Sequence, residues 1–177
     1  FNILPAHPIA GTEKSGPESG FAELFNKRWC VITPMGKNNN KTLNKLKKLW
    51  NNFGSKVQIM DSKNHDKILA ITSHMPHLIS YSLVSSSLNA NAKEKSQIIK
   101  FSAGGFRDFT RIAASDATMW RDIFLNNKIN LLKITKEFEK SLNLIKKYIK
   151  QNKPKKLQEI FLKTKKIRKL IEKEKQE

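Results

Sequence analysis

The sequence predicts a mainly α-helical protein that opens on a short α/β segment. Three observations carry this expectation. Two apolar, β-branched runs, residues 29–33 and 56–60, flank a stretch of helical hydrophobic spacing. From residue 61 onward every hydrophobic stripe has helical spacing. Caps and breakers fall at the joints: Gly54, Asp61 or Ser62, Ser115 or Asp116, and Pro154. The expected division is therefore 1–60, the α/β part, and 61–177, the helical part.

Taken in order, residues 1–20 are rich in Gly, Pro, Ser and Thr and read as a loop, with Phe1-Asn2-Ile3-Leu4-Pro5 as the tail of a strand entering a turn. Trp29-Cys30-Val31-Ile32-Thr33, closed by Pro34, reads as a buried strand. Leu43, Leu46, Leu49, Trp50 and Phe53 form a helical stripe opposite Lys and Asn, and Gly54 ends that helix. Lys56-Val57-Gln58-Ile59-Met60 reads as another strand, so residues 21–60 form strand–helix–strand at the edge of an α/β sheet. The next helix is expected over residues 65–88. From Ile68 to Leu88 it carries no Lys, Arg, Asp or Glu, about the length that crosses a bilayer. His74, Pro76, His77, several Ser and the lack of an aromatic belt favour instead a helix buried on all sides, in a helical core or a dimer interface. Residues 101–111 read as a Gly-containing loop, followed by a capped helix through Asn126. A further helix aligns Leu131, Phe138, Leu142, Ile145 and Ile149. Pro154 starts the last one, with Leu157, Ile160, Phe161, Thr164, Ile167 and Ile171 on its stripe.

At 177 residues, 38% hydrophobic and 28% charged, the chain suits a folded globular protein rather than a disordered one. Its net charge of +19, from 34 Lys+Arg against 15 Asp+Glu, attracts polyanions. The basic residues are spread along amphipathic helices with no aromatic stacking platform between them. A solvated Lys-rich surface is thus favoured over a nucleic-acid or membrane surface. Cys30 is the sole cysteine, which excludes an intramolecular disulfide, fits a reducing cytoplasm and reads as a strand residue rather than a nucleophile. The opening at Phe1 has no basic n-region and no long apolar run, unlike a signal peptide, and the chain is expected to begin inside a larger protein.

Three clusters hold chemistry. His7-Pro8-Ile9-Ala10-Gly11-Thr12-Glu13 sets an imidazole, a proton acceptor near neutral pH, in a Gly-rich loop. Ser73-His74-Met75-Pro76-His77 places two imidazoles on one helix face, and Pro76 frees a backbone carbonyl one turn earlier. The combination opens a polar notch in an apolar helix; no Cys or carboxylate flanks the pair closely enough to favour a metal. Gly104-Gly105-Phe106-Arg107-Asp108-Phe109-Thr110-Arg111 combines glycines, which let backbone approach a ligand, with guanidinium forks that fit carboxylates. Either Arg equally suits a structural pairing with Asp108, Asp116 or Asp122.

Together these blocks, with Trp120-Arg121-Asp122, resemble the prephenate/arogenate dehydrogenase family in order and spacing over residues 1–150. The resemblance implies a Rossmann-type domain followed by a helical domain that forms a homodimer. It implies NAD- or NADP-dependent oxidative decarboxylation of prephenate to 4-hydroxyphenylpyruvate, or of arogenate to tyrosine, in tyrosine biosynthesis in the cytoplasm. Residues 1–60 then correspond to the last part of the nucleotide-binding domain. By residue, it implies that His7 hydrogen-bonds the substrate ring hydroxyl and that Arg111 holds a carboxylate. Ser73, His74, His77, Gly104 and Arg107 line the pocket, Trp120 reaches in from the partner subunit, and Glu13 and Asp108 join an ionic network. No metal, membrane or specific nucleic acid is implied. The sequence departs from the family in lacking any G-x-G-x-x-G turn, so the chain alone is expected to be inactive. The competing class is a non-enzymatic basic helical protein that binds nucleic acid or an anionic membrane.

Overall fold

The computed structural model describes residues 3–11, 16–36, 40–87, 89 and 91–174. The chain divides into two compact units, Phe1–Leu131 and Leu132–Glu177.

The first unit contains a three-stranded sheet in the order β1-β2-β3. The strands are β1 (Ala6–Pro8), β2 (Trp29–Ile32) and β3 (Lys56–Ile59). β2 and β3 are parallel, joined through helix α1 (Asn40–Asn52), and Cys30, Val31 and Ile32 of the central strand are buried. Burial pushes the Cys30 thiol up to about 11, so at neutral pH it is a packed apolar group. Phe25, Trp50 and Phe53 pack their rings 5.2–6.1 Å apart beside α1. Gly54 turns the chain back with φ +82°; a Cβ there would sit 2.9 Å from Asn26 Oδ1 and 3.1 Å from Asn26 Cα.

β1 corrects the expectation of a loop over residues 1–20. Ala6, His7 and Pro8 pair antiparallel with Ile32, Val31 and Cys30, and the ladder extends through Ile9 N–H to Trp29 O and Thr33 N–H to Pro5 O. Pro8 has no N–H to donate and suits an edge strand. So short a strand is made by its partner rather than by its own propensity.

The helices are α2 (Ser62–Leu69), α3 (Met75–Ser87), α4 (Ala92–Phe101), α5 (Gly104–Thr110), α6 (Ala117–Asn126), α7 (Lys128–Lys150) and α8 (Pro154–Lys173). Asp61 caps α2 by accepting from Asn64 N–H at 2.9 Å, and Asp116 caps α6 by accepting from Met119 N–H at 2.7 Å. The single helix expected over residues 65–88 starts at Ser62 and is interrupted by a π-turn, Ala70–His74; Leu88 lies outside the described residues. The cause is Pro76, which cannot donate and crowds the carbonyl four residues back, so the preceding turn widens and Met75 N–H bonds Ala70 O. Nor is this helix buried on all sides within its own chain. Leu69, Ala70 and Ser80 are buried, but Ile68 and Ile71 are exposed.

The Gly-containing loop expected over residues 101–111 is also helical. α4 ends at Phe101, α5 spans Gly104–Thr110, and a 3₁₀ turn covers Arg111–Ala114. The glycines occupy the first turn of α5, where propensity counts least. α4 is started by a reciprocal capping box between Asn91 and Glu94. α3 is tied to this region by Ser80 Oγ donating to Phe109 O and Tyr81 Oη donating to Ser115 O. Among the described residues, no helix is long and apolar enough to cross a membrane.

Candidate active site

The parallel strands β2 and β3 end together, at Ile32 and Ile59, and β1 lays Ala6 beside Ile32. His7 is one residue along, opposite Val31, and the capped α2 begins just beyond β3. Ligands of open α/β sheets bind at this carboxyl edge of the strands. There the fold gathers all four histidines of the sequence.

His7 Nδ1 lies 2.9 Å from His65 Nε2, with the ring centroids 5.1 Å apart. His65 Nδ1 lies 2.9 Å from Asp66 Oδ1. On the other side, the Asn127 amide donates to Asp66 O at 2.7 Å and to His74 Nδ1 at 3.2 Å. Asn130 fixes the orientation of that amide by donating to its Oδ1. His77 Nδ1 donates to Ser73 O at 2.9 Å, and its ring stacks on Trp120 with centroids 3.4 Å apart and planes 17° from parallel.

His7, His74 and His77 are shifted toward the neutral form. His7 is held below its ordinary value by the burial of its ring atoms and by the neighbouring His65. Burial also lowers His74; Asp66 opposes that shift, and His65, His7 and His77 add to it. Burial lowers His77, the Ser73 carbonyl opposes it, and the Arg111 charge lowers it further. A row of neutral imidazoles beside a permanent guanidinium can bind an anion and take a proton from a hydroxyl. No group of His, Cys, Asp or Glu among the described residues is arranged to hold a metal ion.

The structure thus brings together His7, Ser73, His74, His77, Arg111 and Trp120. Trp120 is 7% exposed, packed on His77 and 5.7 Å from Phe124 of its own chain. Its Nε1 is buried without a hydrogen-bond partner among the described residues. Gly104 and Arg107 lie on α5, with the Arg107 side chain exposed. Asp108 is exposed and makes no ion pair among the described residues; Glu13, its expected companion in an ionic network, lies outside them. Asp122 pairs with Arg121 at 2.8 Å, and Asp116 caps α6. Sequence reasoning missed His65, Asp66 and Asn127. His65 and His74 are about two and a half turns apart in a regular α-helix, on opposite faces. The π-turn changes that angle, and spacing alone does not announce it.

Residues 61–177 match the profile of the prephenate dehydrogenase dimerization domain, and residues 1–59 that of the prephenate dehydrogenase nucleotide-binding domain. The chain belongs to the prephenate dehydrogenase family. It is 40% identical over 136 residues to the cyclohexadienyl dehydrogenase of Zymomonas mobilis, covering 77% of this chain and 46% of that protein. It is 34% identical over 152 residues to the prephenate dehydrogenase of Bacillus subtilis, covering 85% and 40%. The crystal structure of the A. aeolicus prephenate dehydrogenase in complex with hydroxyphenyl propionate and NAD+ superposes with a TM-score of 0.88 at 39% identity, over 95% of this chain and 58% of that one. The chain spans about half the length of the curated relatives it matches. Within the family's two parts, the imidazole cluster joins His7, from the nucleotide-binding match, to the helices of the dimerization match.

Proposed function

We propose that this chain provides the substrate pocket of a cytoplasmic, NAD(P)-dependent dehydrogenase that oxidatively decarboxylates prephenate to 4-hydroxyphenylpyruvate, or arogenate to tyrosine. The observation that carries the reading is His7, a neutral imidazole at the carboxyl edge of a family-matched sheet, in one cluster with His74 and His77, with Arg111 beside His77. The ring hydroxyl of the substrate becomes acidic as its carbon is oxidised, and His7 takes that proton. Loss of CO2 sends the electrons of the broken carbon–carboxylate bond into the ring, and the proton returns to the same oxygen as the ring becomes a phenol. Arg111 holds a carboxylate that is charged throughout, while Ser73, His74, His77 and Trp120 shape the pocket. Residues 1–60 belong to the nucleotide-binding part and 61–177 to the dimerising part.

NAD(P), when bound, supplies the hydride acceptor. The residues here do not fit its pyrophosphate, because the sequence has no G-x-G-x-x-G turn. Homodimerisation is proposed from uncovered apolar side chains on α8, where Phe161, Leu162, Ile167, Leu170 and Ile171 are all more than half exposed. The test of the pocket needs no cofactor. Adding prephenate or hydroxyphenylpropionate to the folded chain should shift the histidine ring signals of His7, His74 and His77 in NMR spectra. A folded chain whose histidines ignore both ligands contradicts the proposal.

A further inference from the structure

We propose that His65 and Asp66 form a positioning relay behind His7, which holds His7 with its Nδ1 protonated and its Nε2 bare toward the ligand. The direction follows from counting protons. A carboxylate only accepts, so in the 2.9 Å contact with Asp66 Oδ1 the proton is on His65 Nδ1. Neutral His65 then has a bare Nε2. The 2.9 Å contact between that nitrogen and His7 Nδ1 holds one proton, which must therefore belong to His7. Neutral His7 is left with a bare Nε2, the atom a base needs.

Two further observations hold the relay in place. The Asp66 backbone carbonyl is gripped by the Asn127 amide at 2.7 Å, which ties the head of α2 to the joint between α6 and α7. The titratable and charged groups around the pair are Asp66, His74 and His77, with Arg111 next to His77. Asp66 is half exposed, so its part is to set a direction rather than to supply strong attraction.

The inference rests on the dehydrogenase reading for its role and not for its existence. When His7 Nε2 takes the hydroxyl proton, the charged ring keeps its Nδ1–H bond to His65, and the proton later returns to the oxygen it came from. No net proton passes along the relay; it fixes the tautomer and orientation of the base, as the partner of a catalytic imidazole does elsewhere.

Nitrogen-15 spectra of the full chain test the relay. His7 should be protonated at Nδ1, and His65→Phe should move that proton to Nε2. If His65→Phe does not fold, Asp66→Ala, at an exposed carboxylate, should mix both His65 tautomers and with them those of His7. A parent His7 protonated at Nε2, or a His7 tautomer untouched by both substitutions, overturns the proposal. In the chain completed with a relative's nucleotide-binding segment, His65→Phe should lower kcat on the order of 10–100-fold with KM unchanged. An active parent with an equally active His65→Phe sinks the relay. Correct tautomers with no dehydrogenase activity sink the functional reading and leave the relay standing.

Discussion

His7 and Arg111 are expected to fail in different ways when replaced. His7 meets a hydroxyl whose proton becomes acidic only as oxidation proceeds, so its contribution grows toward the transition state. In a completed enzyme, His7→Asn should lower kcat by roughly two to four powers of ten with little change in KM. Arg111 meets a carboxylate that is already charged in the ground state. Arg111→Ala should raise KM by the equivalent of about 2–3 kcal/mol, and Arg107→Ala, at an exposed position, should not. Steady-state kinetics on the three variants check this, and a KM effect at Arg107 in place of Arg111 reverses the assignment. The pH dependence has a definite sign. His7, His74 and His77 all have folded values below the ordinary 6.5, so the fold binds fewer protons than the unfolded chain. Their contribution to stability is present above pH 6.5 and is lost as pH falls through the folded values. Thermal midpoints should decline on acidification below about 6.5, and the acid limb of kcat/KM should lie below that value. At this scale the sequence displayed His7, His74, His77 and Arg111, because their motifs are compact. It did not display His65, whose role depends on a strand pairing with no local mark.

The π-turn is the element that makes the site. Pro76 stands early in α3, and its missing N–H widens Ala70–His74 and so resets the angle between His74 and the residues of α2. Pro76→Ala restores a donor and a regular helix, so the thermal midpoint should hold or rise while hydroxyphenylpropionate binding weakens. Unchanged binding in a regularised helix would show that the turn is incidental. Gly54 makes the opposite prediction. Gly54→Ala forces a Cβ into Asn26 at a positive φ and should cost more than about 1 kcal/mol in denaturant unfolding without altering the histidine tautomers. The elements legible in sequence were those with long periodic stripes or strong punctuation: β2, α1, β3, α6, α7 and α8. β1 was not, because three residues with a proline carry little strand signal. α5 was not, because Gly104 and Gly105 look like a loop unless they fall in a helix's first turn.

For the whole molecule, apolar surface and charge lead to different expectations. The long helices leave Ile129 and Leu132 on α7 and Ile167, Leu170 and Ile171 on α8 exposed, more than singly scattered side chains explain. Sedimentation at micromolar concentration should find a dimer; a clean monomer counts against dimerisation through these faces. The +19 charge lies largely on solvated lysines, and DNA binding should be weak and vanish as salt rises through the physiological range. The most direct measurement completes the chain with the nucleotide-binding segment of its Zymomonas mobilis relative and follows nicotinamide reduction with prephenate or arogenate, for the parent and for His7→Asn. Substrate-dependent reduction by the parent, lowered by two or more powers of ten in His7→Asn, is the expected result. A well-folded parent that reduces no nicotinamide with either substrate, or a His7→Asn variant as fast as the parent, contradicts the assignment of His7 as the base of a dehydrogenase.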